Sequence, residues 1–207
     1  MSTPKLIDVT PFEPVIIKVH YDGWDWNTMK TVCQNMIDES PVNAGLETDG
    51  GKSSVYNVKN QPHNNPAFRP FYTWLTPIVN HLIFKEWKLM QDYEYSVGNS
   101  WVNVHPKGGI TSEHHHGPAV IVAAAYLQLP KDSGFIQFKD PLEYVKGFHT
   151  KQDSRVAEYY TVPAVTGDVF LFPGWLRHRT EHSNSDEDRW VLTTNIMNDH
   201  KPTIYKK

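Results

Sequence analysis

A single cysteine, Cys33, in 207 residues leaves no partner for an internal disulfide, a usage that suits a reducing compartment. Basic excess is absent: 20 Lys and Arg stand against 23 Asp and Glu, a net charge of −3. That balance provides no electrostatic footprint for nucleic acid or an anionic membrane surface. Long apolar runs are absent too. The longest uncharged apolar stretch, Pro118 to Leu129, is too short to cross a bilayer. Met1 to Thr10 carries Pro4 and Asp8 and no apolar segment, so no secretory signal is expected there. These absences together lead to the expectation of a cytoplasmic protein without a membrane or nucleic-acid partner. What is present is ordinary globular composition, 39% hydrophobic and 21% charged, which argues against disorder. The unusual entries are eleven histidines and seven tryptophans.

No repeat or low-complexity tract interrupts the chain, but its texture changes near Gln91. Before it, Met29, Val32, Cys33, Met36 and Ile37 recur at helical spacing over Trp26 to Ser40, and Pro41 ends the run. Phe71, Leu75, Ile78, Val79, Leu82, Ile83 and Phe84 do the same over Pro66 to Met90, where Pro77 predicts a kink. Between them, Asn43 to Asn65 is rich in Gly, Asn and Ser and reads as loop with room for a short strand. After Gln91 come eight strand candidates: Tyr93–His105, Thr111–His116, Val120–Leu129, Gly134–Phe138, Glu158–Val162, Asp168–Phe172, Leu176–His182 and Arg189–Ile196. Eight short strands are the count of a jelly roll. The pattern predicts a mainly β protein, a double-stranded β-helix or cupin-like barrel with flanking N-terminal helices. Residues 1–92 are expected to pack on the barrel, 93–199 to form its core and 200–207 a tail, all in one structural domain.

Three consecutive histidines, His114, His115 and His116, follow Glu113. Residues i and i+2 of a strand share a face, so His114 and His116 point inward together while His115 points out. The opposite register would turn Glu113 and His115 inward, and a solvated loop would use none of them. Spacing favours the first reading. Five residues separate Gly108 from His114, five separate Gly167 from Pro173, and four separate Pro173 from His178. This is similar to the two metal motifs of cupins, although no glutamate follows the His-x-His and Trp175 stands where a glycine is expected. Imidazole is a common metal ligand, so His114, His116 and His178 are the candidate set. Arg189 lies eleven positions after His178, across the turn-forming Asn184 to Asp188. A hairpin there would pair Arg189 near His182, about 13 Å of strand from His178. A short dicarboxylate could bridge metal and guanidinium. The competing reading of Arg189 is a surface ion pair with Asp186 or Asp188.

With His114, His116, His178 and Arg189 in that order, the chain resembles the 2-oxoglutarate/iron(II)-dependent oxygenases, and more closely an oxygenase family known from phages and bacteria. The matching strings are Ser100-Trp101-Val102-Asn103, Lys107-Gly108-Gly109, the His-x-His, Tyr126-Leu127, Phe138-Lys139-Asp140-Pro141, Phe172-Pro173-Gly174-Trp175-Leu176-Arg177-His178, and Arg189 followed by Asn195. The resemblance covers roughly the second half. It implies a non-haem iron dioxygenase, a hydroxylase that converts 2-oxoglutarate and oxygen to succinate and carbon dioxide. Fe(II) would sit on the three histidines. The co-substrate would lie against Arg189, with Asn103 and Tyr126 as further contacts. Were the chain phage-encoded, its compartment would be the host cytoplasm. Two departures stand out. His116 replaces the carboxylate usual in the superfamily, and Ala123-Ala124-Ala125 replaces an expected Ser-Gly segment. Two other readings remain at this level: a three-histidine, cupin-like metal enzyme without 2-oxoglutarate, and a non-catalytic jelly-roll binding protein.

Overall fold

The computed structural model describes residues 16–41, 48–89, 91–141 and 158–200. The first ten residues and nearly all of the expected 200–207 tail therefore lie outside the described residues.

Among the described residues, eleven strands and two α-helices carry the architecture. In chain order they are β1 (Ile17–His20), α1 (Trp26–Asp38), β2 (Thr48–Asp49), β3 (Lys52–Ser53), α2 (Arg69–His81), β4 (Tyr93–His105), β5 (Ile110–Thr111), β6 (Ile121–Gln128), β7 (Ile136–Lys139), β8 (Tyr159–Val162), β9 (Asp168–Pro173), β10 (His178–Thr180) and β11 (Arg189–His200). The strands form a six-stranded sheet in the order β1-β9-β6-β11-β4-β3, a three-stranded sheet β10-β7-β8, and the pair β2-β5. Every paired strand runs antiparallel to its neighbour. This is the jelly roll that the strand count predicts.

The major sheet is buried on both faces, and the alternation of its strands assigns the faces. Along β6, Ile121, Ala123, Ala125 and Leu127 join a core with the helices, whereas Val122, Ala124 and Tyr126 join a second core with the minor sheet. Strand β9 repeats this with Val169 and Leu171 against Phe170 and Phe172. Helix α1 buries Met29, Cys33, Met36 and Ile37, and α2 buries Phe71, Leu75 and Val79, the stripes read from the sequence. The helices thus cover one face and leave the other for the site. Helix α2 is preceded by a 3-10 turn at Pro66–Phe68, continues past Pro77 to His81, and passes into a π-type turn at Leu82–Glu86.

Two features depart from the sequence reading. Strand β1 was not foreseen. It pairs with β9, but four residues are too few to show a period. The first half of the chain therefore supplies β1 and β3 to the major sheet as well as its helices. The segment 111–116 is also not one strand: β5 ends at Thr111, and His114 makes a single bridge to His178. Among the described residues no helix is long and apolar enough to cross a membrane.

Candidate metal centre

The bridge between His114 and His178 rests on two reciprocal backbone hydrogen bonds, each 3.0 Å. Residues paired directly across an antiparallel bridge project to the same side, so the rings meet with centroids 4.4 Å apart. His116 is one pleat further on, fixed by donation of its backbone N–H to Gly174 O at 2.8 Å. Gly174 is required at that turn, because a Cβ there would lie 2.0 Å from Ala119 O. The imidazole nitrogens of His114, His116 and His178 fall within 4.8 Å of one another. His115 is exposed and its Nδ1 accepts from Gly117 N. Glu113 turns to the other side, where it accepts hydrogen bonds from the Tyr159 hydroxyl and Arg177 Nε. The register with His114 and His116 inward is the one adopted.

Each of the three rings has a fixed tautomer. His114 Nδ1 donates to Ser112 O at 2.7 Å, His116 Nδ1 to Asn195 Oδ1 at 2.7 Å, and His178 Nδ1 to Leu176 O at 2.9 Å. Those oxygens only accept, so each Nδ1 carries the proton and each Nε2 offers its lone pair, as metal-bound histidines require. Burial, and then the charge of His114, push His116 down to about 4. Burial, with His114 and His116 next, holds His178 well below its ordinary range. Neutral rings are what a metal needs. Three borderline nitrogen donors lining one cavity would suit a first-row divalent ion, which His114, His116 and His178 would hold.

That cavity is lined by the three histidines and, beyond them, by Asn103, His105, Thr111, Tyr126 and Thr180. Arg189 stands behind it, fully buried, but not as the expected hairpin would place it. Strand β10 pairs with β7, while β11 pairs with β4 and β6, setting Arg189 opposite His105 rather than near His182. The segment 181–188 is a crossover between sheets, and the sequence shows only its turn residues. Nor does Arg189 pair with Asp186, which binds Lys107 Nζ at 2.6 Å. Instead Arg189 Nη1 donates to the carbonyls of Ser133, Gly134 and Glu181, Nη2 donates to Thr180 Oγ1 at 2.9 Å, and Nε has no partner. Among the described residues no carboxylate forms an ion pair with this cation.

Donor capacity remains at this end of the cavity. Thr180 Oγ1 accepts from both Arg189 Nη2 and Thr111 N, so its own proton is free to donate. Tyr126 is 2% exposed. Burial pushes its phenol up to about 12, against the nearby Arg189 and a backbone hydrogen bond with Ile136. Asn103 lines the same wall and donates to Thr193 Oγ1 at 3.4 Å. Sequence reasoning missed Thr180 and His105. The same alternation that selected His116 would have exposed both, since Thr180 is two residues from His178 and His105 two from Asn103. It also missed the role of Asn195 in orienting His116.

Residues 99–195 match a family described as "Putative 2OG-Fe(II) oxygenase". No curated protein matches the sequence. Among solved structures, the epimerase SnoN in complex with Fe3+, alpha ketoglutarate and nogalamycin RO is similar at 15% identity and a TM-score of 0.61, covering 92% of this chain and 83% of that one. HygX from Streptomyces hygroscopicus, with nickel, 2-oxoglutarate and hygromycin B bound, is similar at 12% identity and a TM-score of 0.58, over 93% and 84%. A Pseudomonas putida prolyl-4-hydroxylase is similar at 13% identity and a TM-score of 0.58, over 89% and 92%. At such identities the likeness establishes a shared fold.

Proposed function

We propose that the chain, whose residues 99–195 match a 2OG-Fe(II) oxygenase family, hydroxylates a C–H bond of its primary substrate and turns over 2-oxoglutarate as it does so. The overall balance is one C–H substrate, one 2-oxoglutarate and one O2 giving one alcohol, one succinate and one CO2. His114, His116 and His178 would hold Fe(II) through Nε2. The metal supplies oxygen activation when bound. The protein's part is to hold and orient. Ser112 O, Leu176 O and Asn195 Oδ1 keep the three rings in the ligating tautomer. The collar of Ser133, Gly134 and Glu181 carbonyls fixes the Arg189 guanidinium. Arg189, Thr180 and Tyr126 would receive the far carboxylate of 2-oxoglutarate, and Asn103 would line its flank.

The observation that carries this reading is Arg189: a fully buried cation with an unpartnered Nε, bonded to Thr180 and paired opposite His105, both of which line the cavity that also holds the three poised imidazoles. An isolated buried charge is strongly disfavoured, so the site fits an anionic ligand. The scale agrees as well. Thr180, which touches Arg189, is two residues from His178, about 7 Å of strand, the span of a five-carbon dicarboxylate. Succinate release from Fe(II)-reconstituted protein supplied with 2-oxoglutarate tests the activity. His178→Ala should lose tight metal binding. Arg189→Ala should keep metal and weaken 2-oxoglutarate by about tenfold or more. No calorimetric 2-oxoglutarate binding to metal-loaded wild type would defeat the proposal and favour a three-histidine enzyme without that co-substrate.

A further inference from the structure

His105 has no part in the metal set, yet it is among the most buried polar side chains, 1% exposed. It ends β4 directly opposite Arg189 and lines the same cavity. Its Nε2 lies 2.7 Å from Thr111 Oγ1, while Nδ1 is buried without any partner. A buried polar atom left unpaired is costly, and the cavity is where a partner would come from.

We infer that His105 is a co-substrate-binding residue, its Nδ1–H the fourth donor to the far carboxylate of 2-oxoglutarate beside Arg189, Thr180 and Tyr126. The inference rests on the function proposed above. Donor accounting leads to it. A carboxylate offers about four lone-pair sites and donates nothing. Thr180 has both lone pairs occupied, by Arg189 Nη2 and Thr111 N, and so keeps a proton to give. Tyr126 has a backbone hydrogen bond with Ile136 and remains protonated. Arg189 keeps Nε–H. The fourth site falls to His105, provided that the Thr111 hydroxyl donates to Nε2 and leaves the ring proton on Nδ1. The Thr111 hydroxyl lies 2.7 Å from Nε2 and its O–H can serve as that donor. Burial, and then the charge of Arg189, keep the ring neutral, so it binds as a directional donor rather than as a second cation. Four donors converging on one carboxylate would make the cavity selective for a diacid over a monoacid of equal length.

Two substitutions separate this role from a packing role. Asn reproduces the position of Nδ1 as a donor, whereas Gln reaches toward Nε2 and reproduces the Thr111 contact. With Zn(II)-loaded protein, His105→Phe should weaken 2-oxoglutarate by about tenfold or more, with metal affinity unchanged. His105→Asn should recover affinity to within about threefold of wild type, and His105→Gln should behave as Phe does. Should these variants fail to fold, 15N NMR of histidine-labelled, Zn(II)-loaded wild type decides: 2-oxoglutarate should leave His105 protonated at Nδ1 and bare at Nε2. Unchanged affinity in the Phe variant, equal rescue by Gln, or a bare Nδ1 in the complex would overturn the inference. Absence of 2-oxoglutarate binding to wild type would instead remove the parent reading, and this one with it.

Discussion

Arg189 and His105 face each other across β11 and β4, both almost wholly withdrawn from water. Burial and the neighbouring guanidinium lower the His105 pKa to about 3, from an ordinary 6.5. Between those values the unfolded chain takes up a proton that the folded one refuses, so stability rises with pH across the window. Its contribution is complete above about 6.5 and declines as pH falls toward about 3. His105→Phe should therefore show a shallower loss of stability between pH 7 and pH 5 than wild type, read from urea unfolding of metal-free protein. An equal slope in both would place the acid sensitivity elsewhere. These two residues also show what strand patterns reveal and conceal. His114, His116 and His178 are legible because period two and the Gly and Pro spacings mark them in the chain. Arg189 is singled out in the sequence through an expected hairpin, which the structure replaces with a sheet-to-sheet crossover. His105 and Thr180 share the period-two faces of Asn103 and His178, but what they face is set by non-local pairings.

At the scale of elements, the metal-facing segments are joined through the single-pair bridge of His114 and His178 and the His116 N–H bond to Gly174 O. The residue before each histidine of the bridge reinforces it. Glu113 binds Arg177 Nε, with the Tyr159 hydroxyl and Lys139 Nζ also on its carboxylate. Burial raises the pKa of Glu113, and hydrogen bonds from Tyr159, Arg177 and Lys139 outweigh it, bringing it to about 2. Arg177 is half-exposed, so the pair adds about 1 kcal/mol or less to global stability. Its effect should be local. Arg177→Ala should leave the urea midpoint nearly unchanged yet weaken Zn(II) or Fe(II) by about threefold to tenfold in competition with a chromogenic chelator. Unaltered metal affinity would reduce the ion pair to surface decoration. The long elements were readable: β4 was predicted at Tyr93–His105, its observed bounds, and both helices sit on their predicted apolar stripes. The short ones were not. A four-residue edge strand such as β1 and a one-pair bridge have too few residues to carry a period.

For the whole molecule, the major sheet separates two jobs. Its helix-facing side supplies cohesion, and its inner side holds the site. Phe71 is 1% exposed, packed against Tyr21 and Trp24 on the helix side. Phe71→Ala should lower unfolding stability by about 3–5 kcal/mol while the folded fraction binds Zn(II) with wild-type affinity. A parallel loss of metal affinity would show that the sheet transmits strain between its faces. The same separation explains why so much of the fold could be read from alternation along β6 and β9, and why the closed end of the cavity could not. His105, Tyr126 and Thr180 line that end, and Arg189 with its collar of Ser133, Gly134 and Glu181 carbonyls lies behind it, so it draws on stretches distant in sequence. The carbonyl collar of Arg189 has one more consequence. Because the guanidinium is locked in place whether or not an anion arrives, the ligand-free protein retains a buried positive charge that an anionic co-substrate would neutralise. Ligand that favours the folded state adds about 2.7 kcal/mol at a hundredfold excess over Kd, so resistance to thermolysin should lengthen as 2-oxoglutarate is titrated in. The half-life of the chain would then report the supply of 2-oxoglutarate.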